Sequence, residues 1–335
     1  MKGLVIHRYG GPDVMQLEER DPPAVGPRDV RIDVRAASLN PIDFKIRQGA
    51  LKMVRPRRSL PIALGCDVAG VVREVGADAR GFAVGDEVFA RLEKGRMGGL
   101  SEQAVADVAV VAKKPAKASF EEAASLPLAG LTALQALREA AALRQGQRVL
   151  IHAGAGGVGS LAFQIAKVLG LWVATTTSGK NVEFVRGLGA DLLIDYTADQ
   201  VSECVKELDA VFDTLGGASE IASLAVVKRG GMVVGIGGTP DGAWARDNLP
   251  VVARPAIWMM TARRRRAAAA AGARFVYLFM RPDGAQLAEL VRWVDAGMLR
   301  PVLHRTYPLA EFREAFAELE RGHARGKIVV SVSHG

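Results

Sequence analysis

The pattern of apolar and polar positions changes character near Ser125. Before it, short alternating runs are cut by turn residues. Lys2-Gly3-Leu4-Val5-Ile6 and Val30-Arg31-Ile32-Asp33-Val34 read as strands, with Gly10-Gly11-Pro12 and Pro22-Pro23 breaking the chain between them. Val68 to Val75 and Glu87 to Ala90 continue the series, with Gly76, Gly81 and Gly85 as punctuation. A period of two with few helical stretches predicts a mostly antiparallel β domain over residues 1–124.

Beyond Ser125 a helix over Leu131 to Ala142 precedes the apolar strand Arg148 to His152. Strands at 171–176, 192–194, 210–212 and 232–236 follow, alternating with helices such as Val182 to Leu188, and Phe275 to Phe279 supplies a last edge strand. That alternation predicts a doubly wound parallel sheet over residues 125–282, so the fold class is α/β with a second, β-rich domain. The tail reads as a helix over 284–296, a strand at 299–302, a helix over 309–321 and a strand at 327–332. Because the parallel sheet already has its strands, residues 283–335 are expected to complete the first domain.

Between the strand at 148–152 and the helical repeat of Leu161, Ala162, Ile165, Ala166 and Leu169 stands Gly154-Ala155-Gly156-Gly157-Val158-Gly159, which fits G-x-G-x-x-G. On its own the pattern is weak; at a strand-to-helix turn it is the dinucleotide fingerprint. Gly154 is expected to permit the turn, Gly156 to let the backbone approach a pyrophosphate, and Gly159 to bring the helix close to the strand. The helix start offers N–H groups and a positive dipole end to the phosphates.

The second strand of such a sheet usually ends in an acid that holds the ribose 2′-hydroxyl of NAD. Here that place reads Thr175-Thr176-Thr177-Ser178-Gly179-Lys180, with no acid. Hydroxyls and a lysine suit a 2′-phosphate, so NADPH is the expected cofactor, held by Thr177, Ser178 and Lys180. A solvated turn in which Lys180 touches nothing is the alternative.

Composition narrows the remaining classes. Two cysteines, Cys66 and Cys204, allow neither a disulfide framework nor a four-thiolate zinc site, and a cytoplasmic setting is the default expectation. No apolar run approaches membrane-spanning length. The 335 residues carry a formal charge of +8, which raises nucleic-acid binding, but the densest run, Arg263 to Arg266, has no interleaved aromatics and precedes an alanine stretch that reads as a solvated helix. A solvated face, or an attraction for anionic cofactors, is the reading kept; no nucleic-acid partner is expected.

Several blocks together resemble a known family. The glycine fingerprint with Gln164 and Lys167, Asn40-Pro41-Ile42-Asp43-Phe44-Lys45-Ile46-Arg47-Gln48-Gly49, Gly65-Cys66-Asp67-Val68-Ala69-Gly70 and the closing Gly322-His323-Ala324-Arg325-Gly326-Lys327-Ile328-Val329-Val330 are similar to the zinc-independent quinone oxidoreductase and 2-enone reductase branch of the medium-chain dehydrogenase/reductase superfamily. The resemblance implies a GroES-like catalytic domain, a Rossmann domain with the cofactor in a cleft between them, and a homodimer joined through the Rossmann sheets. It implies that Asn40 lies beside the nicotinamide ribose, Thr132 near the nicotinamide ring, and Tyr196 over the 2′-phosphate. Ile236, Gly237 and Lys327 join the expected cofactor contacts. Lys45 is the candidate donor to the substrate oxygen, the alternative being an ordinary surface lysine. Tyr9 is placed at the cleft mouth, and Phe44 and Ile46 stand where relatives often carry a tyrosine.

The superfamily's alcohol dehydrogenase branch holds a catalytic zinc through a Cys, a His with its neighbouring acid, and a third Cys or acid. Here the first position falls within Asn40-Pro41-Ile42-Asp43 and the second at Gly65-Cys66-Asp67, with no histidine. Cys66, Asp67 and Asp43 lack the imidazole of such a set, so no metal is expected and Cys66 reads as a small core residue. Without a Lewis acid the expected acceptor is a quinone or a C=C bond conjugated to a carbonyl, which takes hydride and spreads charge onto its own oxygen. An enoyl thioester, with Arg55, Arg57 and Arg58 as a phosphate patch, and a non-enzymatic NADPH-binding module remain alternatives.

Overall fold

The computed structural model describes residues 1–50 and 60–332. It divides into two compact units: Met1–Leu131 with Arg281–Gly335, and Thr132–Met280.

The first unit opens with strands β1 (Lys2–Ile6), β2 (Met15–Glu19) and β3 (Asp29–Ser38), then helix α1 (Pro41–Arg47). Strands β4 (Ile62–Ala63), β5 (Asp67–Val75), β6 (Glu87–Arg91), β7 (Gln103–Asp107) and β8 (Val111–Lys113) follow, and helices α2 (Phe120–Ala124) and α3 (Pro127–Leu134) lead out. In β3 the period of two is plain: Val30, Ile32 and Val34 are fully buried while Arg31, Asp33 and Arg35 point away from the core. Where a helix was expected over Leu131 to Ala142, α3 starts four residues earlier and passes at Gln135 into a π-helical stretch ending at Ala140.

The second unit runs through β9 (Arg148–Ile151), α4 (Gly159–Val168), β10 (Trp172–Thr177), α5 (Val182–Arg186), β11 (Leu192–Asp195), α6 (Val201–Cys204), β12 (Leu208–Asp213), α7 (Ala218–Leu224) and β13 (Val227–Gly235). It closes with α8 (Gly242–Asn248), α9 (Arg254–Met260), α10 (Ala262–Ala271) and β14 (Arg274–Tyr277). The sheet is parallel throughout, ordered β11-β10-β9-β12-β13-β14. From β9 the chain therefore steps outward one way, returns, and steps outward the other way. Such a switch point opens a crevice at the carboxyl ends of the two central strands, β9 and β12.

The tail, α11 (Gly284–Asp295), β15 (Leu303–Pro308), α12 (Phe312–Arg321) and β16 (Lys327–Ser331), returns to the first unit. There β16 lies antiparallel to β3 in the sheet β15-β16-β3-β5-β6-β8, with β7 also on β3. The strand expected at 299–302 lies further on, at Leu303–Pro308. Leu299 instead extends the end of α11, its N–H donating to Trp293 O at 3.1 Å. No helix among the described residues is long and apolar enough to cross a membrane.

Candidate active site

In the second unit the glycine loop leaves β9 at the switch point and enters α4. Its tightest constraints are steric. A Cβ on Gly159 would lie 2.8 Å from the Ala153 carbonyl carbon, and one on Gly154 would press against the Thr175 side chain. The left-handed residue of the turn is Ala153 (φ 55°), not Gly154, so Gly154 serves close approach to β10 rather than the turn itself. Ala155, Gly156, Gly157 and Val158 complete the loop, and Gly156 N–H donates to Ala153 O at 2.9 Å.

A buried chain of side chains stands behind this loop. His152 Nδ1 is 3.1 Å from Thr176 Oγ1 and its Nε2 is 3.1 Å from Ser223 Oγ. Ser223 Oγ donates to Asp213 Oδ2 at 3.0 Å, and Thr176 Oγ1 accepts the Ala153 N–H at 3.1 Å. One assignment satisfies every group: Thr176 donates to Nδ1, and Nε2–H donates to Ser223. Burial pushes the His152 pKa down, consistent with that neutral ring. His152 is thus a packed histidine that ties β9, β10, β12 and α7 together. Asp213, which sequence reasoning did not single out, also accepts the N–H groups of Leu215 and Gly216 at 2.9 and 2.8 Å. Its signal was the Asp-Thr-Leu-Gly-Gly that ends β12.

The 2′-phosphate candidates gather at the end of β10. Pairing of Thr177 with Asp195 sets Tyr196 beside them, its N–H donating to Thr177 O at 3.1 Å. Tyr196 and Lys180 are exposed, Ser178 is half-buried, and Thr177 is buried. Asp195 was missed. Its carboxylate accepts Thr197 Oγ1 and N–H at 2.7 and 3.0 Å, and these bonds hold its pKa down. Ile236 and Gly237 follow β13 on the far side of the switch. Ile236 N–H donates to Asp213 O at 3.1 Å, and Gly237 packs so closely on Leu215 that a Cβ there would lie 2.8 Å from its carbonyl oxygen.

The Arg263 to Arg266 run is not the wholly solvated face expected. Arg264 is buried, donating to Glu220 Oε2 at 2.6 Å and Thr239 O at 2.8 Å, with its guanidinium 3.8 Å over the Phe275 ring.

In the first unit, Asn40 is the N-cap of α1, and Asp43 Oδ2 accepts its backbone N–H at 2.8 Å. The Asn40 side chain has further partners. Its Nδ2 donates to Asp67 Oδ2 at 2.9 Å and to Ser38 O at 3.3 Å, and its Oδ1 accepts from Lys327 Nζ at 2.5 Å. Lys327 also donates to Leu39 O at 2.7 Å. Lys327, expected among the cofactor contacts, is a buried member of the Asn40–Asp67 cluster. Asp67 Oδ1 accepts the Leu128 N–H at 3.1 Å, at the start of α3, where a carboxylate suits the dipole. Cys66 is fully buried, and burial pushes its thiol well up. Burial likewise drives Asp67 up and Lys327 down, and their mutual attraction opposes both. Asp43, one oxygen of which has no partner, is pushed up to about 7 by burial.

Thr132 is nearly buried within α3. Lys45 sits on the exposed face of α1, opposite Asp43 and Arg47, and is not part of the buried cluster. Tyr9 packs against Gly49. Arg55, Arg57 and Arg58 lie outside the described residues.

A family model described as an alcohol dehydrogenase GroES-like domain matches residues 26–116, and one described as a zinc-binding dehydrogenase matches residues 188–330. The NAD(P)H oxidoreductase RTN4IP1, mitochondrial, of Mus musculus is 36% identical over 353 residues, covering 99% of this chain and 89% of the relative. The chain belongs to the zinc-independent medium-chain dehydrogenase/reductase superfamily. A further superfamily relative, the NADPH-dependent alkenal/one oxidoreductase, chloroplastic, of Arabidopsis thaliana, is 36% identical over 98% of this chain and 79% of its own length. The solved structure of the quinone oxidoreductase from Coxiella burnetii superposes with a TM-score of 0.85 at 35% identity, covering 99% of each chain.

The zinc in the second family model's description does not fit this member. At the positions that the resemblance gives to the zinc ligands stand the Asn40 amide, the Cys66 thiol, pushed up by burial, and Asp67, already bonded to Asn40, Ser38 and Leu128, with Lys327 Nζ 2.5 Å from Asn40 Oδ1. Among the described residues no three His, Cys, Asp or Glu side chains are gathered for a metal.

Proposed function

We propose that the chain is an NADPH-dependent, zinc-independent reductase of quinones or of α,β-unsaturated carbonyl compounds. The observation that carries it is the glycine loop at the switch point of the parallel sheet, in a chain 36% identical along nearly its whole length to an alkenal/one oxidoreductase. Bound NADPH would supply the hydride. This chain's residues would hold and orient it: the 154–159 backbone and the start of α4 would bind the pyrophosphate, and Ser178, Lys180 and Tyr196 the 2′-phosphate. The absence of an acid among residues 175–180 supports NADPH over NADH. With no imidazole beside Asn40, Cys66 and Asp67 to complete a zinc set, the acceptor must carry developing charge on its own conjugated oxygen. Names of the relatives favour quinones and enones over an enoyl thioester.

A homodimer and a cytoplasmic setting belong to the same proposal. The test is NADPH oxidation in chelator-containing buffer across quinones, enones, enals and an enoyl-CoA. Turnover with a quinone or enone that survives chelation and falls sharply with NADH is the expected result. NADPH binding without turnover on any acceptor would instead favour a binding module.

A further inference from the structure

We propose that the first unit carries a small-molecule site of its own, a cavity that takes a small carboxylate bearing a neighbouring hydroxyl group. Every residue of the site belongs to that unit, and the inference stands independently of the reductase reading.

The cavity has a volume of about 260 Å³ and is lined by residues in or beside β1, β2, β4 and β7. That is below the range of drug-sized sites, so the occupant is smaller than those. Gly3 gives the polar end its room. It pairs with Ser101, and a Cβ on it would lie 2.5 Å from Ser101 Oγ and 3.1 Å from Arg20 Cδ. Glycine thus lets the Ser101 hydroxyl and the Arg20 stem stand side by side over one position of β1.

Three polar groups of the lining have no partner among the described residues. Ser101 is 1% exposed, and its Oγ makes no hydrogen bond. Gln103 Nε2 donates to Asp33 Oδ1 at 2.9 Å, which orients the amide and leaves its buried Oε1 unbonded. The half-buried Arg20 side chain makes neither a hydrogen bond nor an ion pair, not even with the exposed Asp21 beside it. The other cations of the lining are engaged. Arg96 grips the buried Asp29 with both terminal nitrogens, and the Met1 ammonium donates to Arg20 O at 3.0 Å.

These groups together specify a ligand. A guanidinium presents a planar fork of donors that matches a carboxylate. An amide oxygen only accepts, so the same molecule must also carry a donor. A bare anion would answer Arg20 and leave Gln103 Oε1 buried and unpaired, which is costly. The Ser101 hydroxyl both donates and accepts, so it serves either end. A 2-hydroxycarboxylate supplies the anion and the donor on adjacent carbons, within a few heavy atoms.

NMR titration of the full chain with lactate, propionate and sulfate tests this. Lactate is expected to bind, and propionate about three- to tenfold more weakly for want of the hydroxyl. Equal affinity for all three would make the cavity an unspecific anion contact and overturn the assignment. Arg20→Met should weaken lactate binding about tenfold or more, and Ser101→Ala a few-fold. The Arg20 side chain makes no internal bond, so its loss leaves the fold intact, and undiminished lactate binding in Arg20→Met would overturn the site. Absence of lactate binding to the wild type would do the same. NADPH affinity should be unchanged in Arg20→Met. Its loss in step with lactate would put both ligands in one place and overturn the separate cavity. None of these readings uses turnover, so a protein that reduces no acceptor leaves the test decisive.

Discussion

Arg264 Nη1 lies 2.6 Å from Glu220 Oε2 in a pair that is almost completely buried within the second unit. The same guanidinium donates to Thr239 O and covers the Phe275 ring, so it fixes the segment that follows Gly237 to α7, α10 and β14 at once. Burial raises the Glu220 pKa, and Arg264 opposes that rise. Removing one partner strands the other charge, and Arg264→Ala is expected to cost about 3–5 kcal/mol of stability. Lys at this position should recover little, because it lacks the planar fork and the stacking face. Urea unfolding of the two variants checks this; a loss under about 1 kcal/mol would mean the pair is solvated in practice.

Lys180 and Ser178 give the cofactor preference its handle. Lys180→Ala should raise the KM for NADPH about tenfold, the loss of one charge-assisted contact, and leave that for NADH nearly unchanged. Steady-state kinetics with both cofactors decides it. An equal rise for both would remove the 2′-phosphate contact from the argument.

Gly159 is where space is least. An Ala there must push the Ala153 carbonyl, which the Gly156 N–H also needs. Gly159→Ala is expected to cost about 1–3 kcal/mol and to abolish measurable NADPH binding. Calorimetric titration against a matched melting curve separates the two effects.

Asp43 gives stability a pH dependence with a definite sign. Its folded pKa is raised to about 7 from an ordinary value of 3.8. Between those values the folded state binds the extra proton, so this group's contribution falls as pH rises from about 4 to about 7 and stays low above. Asp43→Asn removes that slope. Denaturant unfolding at pH 5 and pH 8 should show a larger advantage, or smaller penalty, for the variant at pH 8. His152 works in the opposite sense, because its lowered pKa removes stability as pH falls below about 6.5, so the comparison must be made between proteins that share it.

The dimer is a question of mass. Strand β14 has β13 on one side and ends the sheet, and Val251, Val252, Trp258, Met259 and Met260 are all exposed in the helical stretch before it. Light scattering after gel filtration should give twice the 35.6 kDa chain mass, and Trp258→Lys with Met259→Glu should shift it toward the monomer. A monomeric wild type removes the homodimer from the proposal.

Much of this was legible before any coordinates. The glycine loop and the alternation after Ser125 announce themselves because both depend on local spacing, and β3 alternates because one of its faces is core. What stayed hidden depends on distant partners. Four consecutive arginines look alike in sequence, and only the positions of Glu220 and Phe275 select Arg264. Strand β15 exposes His304, Arg305 and Thr306 at an edge, so no alternation marks it, while the apolar Leu299 drew the expected strand too early. Lys327 is expected from sequence only as a cofactor contact, and its bonds to Leu39 and Asn40 emerge when β16 is laid beside β3.

That last placement orders events during synthesis. The second unit is continuous in sequence and can close its sheet as soon as residue 280 has left the ribosome. The first unit has to wait for β16 to pair with Ala36, Ala37 and Ser38 at the end of β3. Lys327 comes with it. The last partner of Asn40 is delivered about 290 residues after Asn40 itself, so a chain stopped short of that strand carries a closed parallel sheet and a first unit that still lacks the last partner of β3.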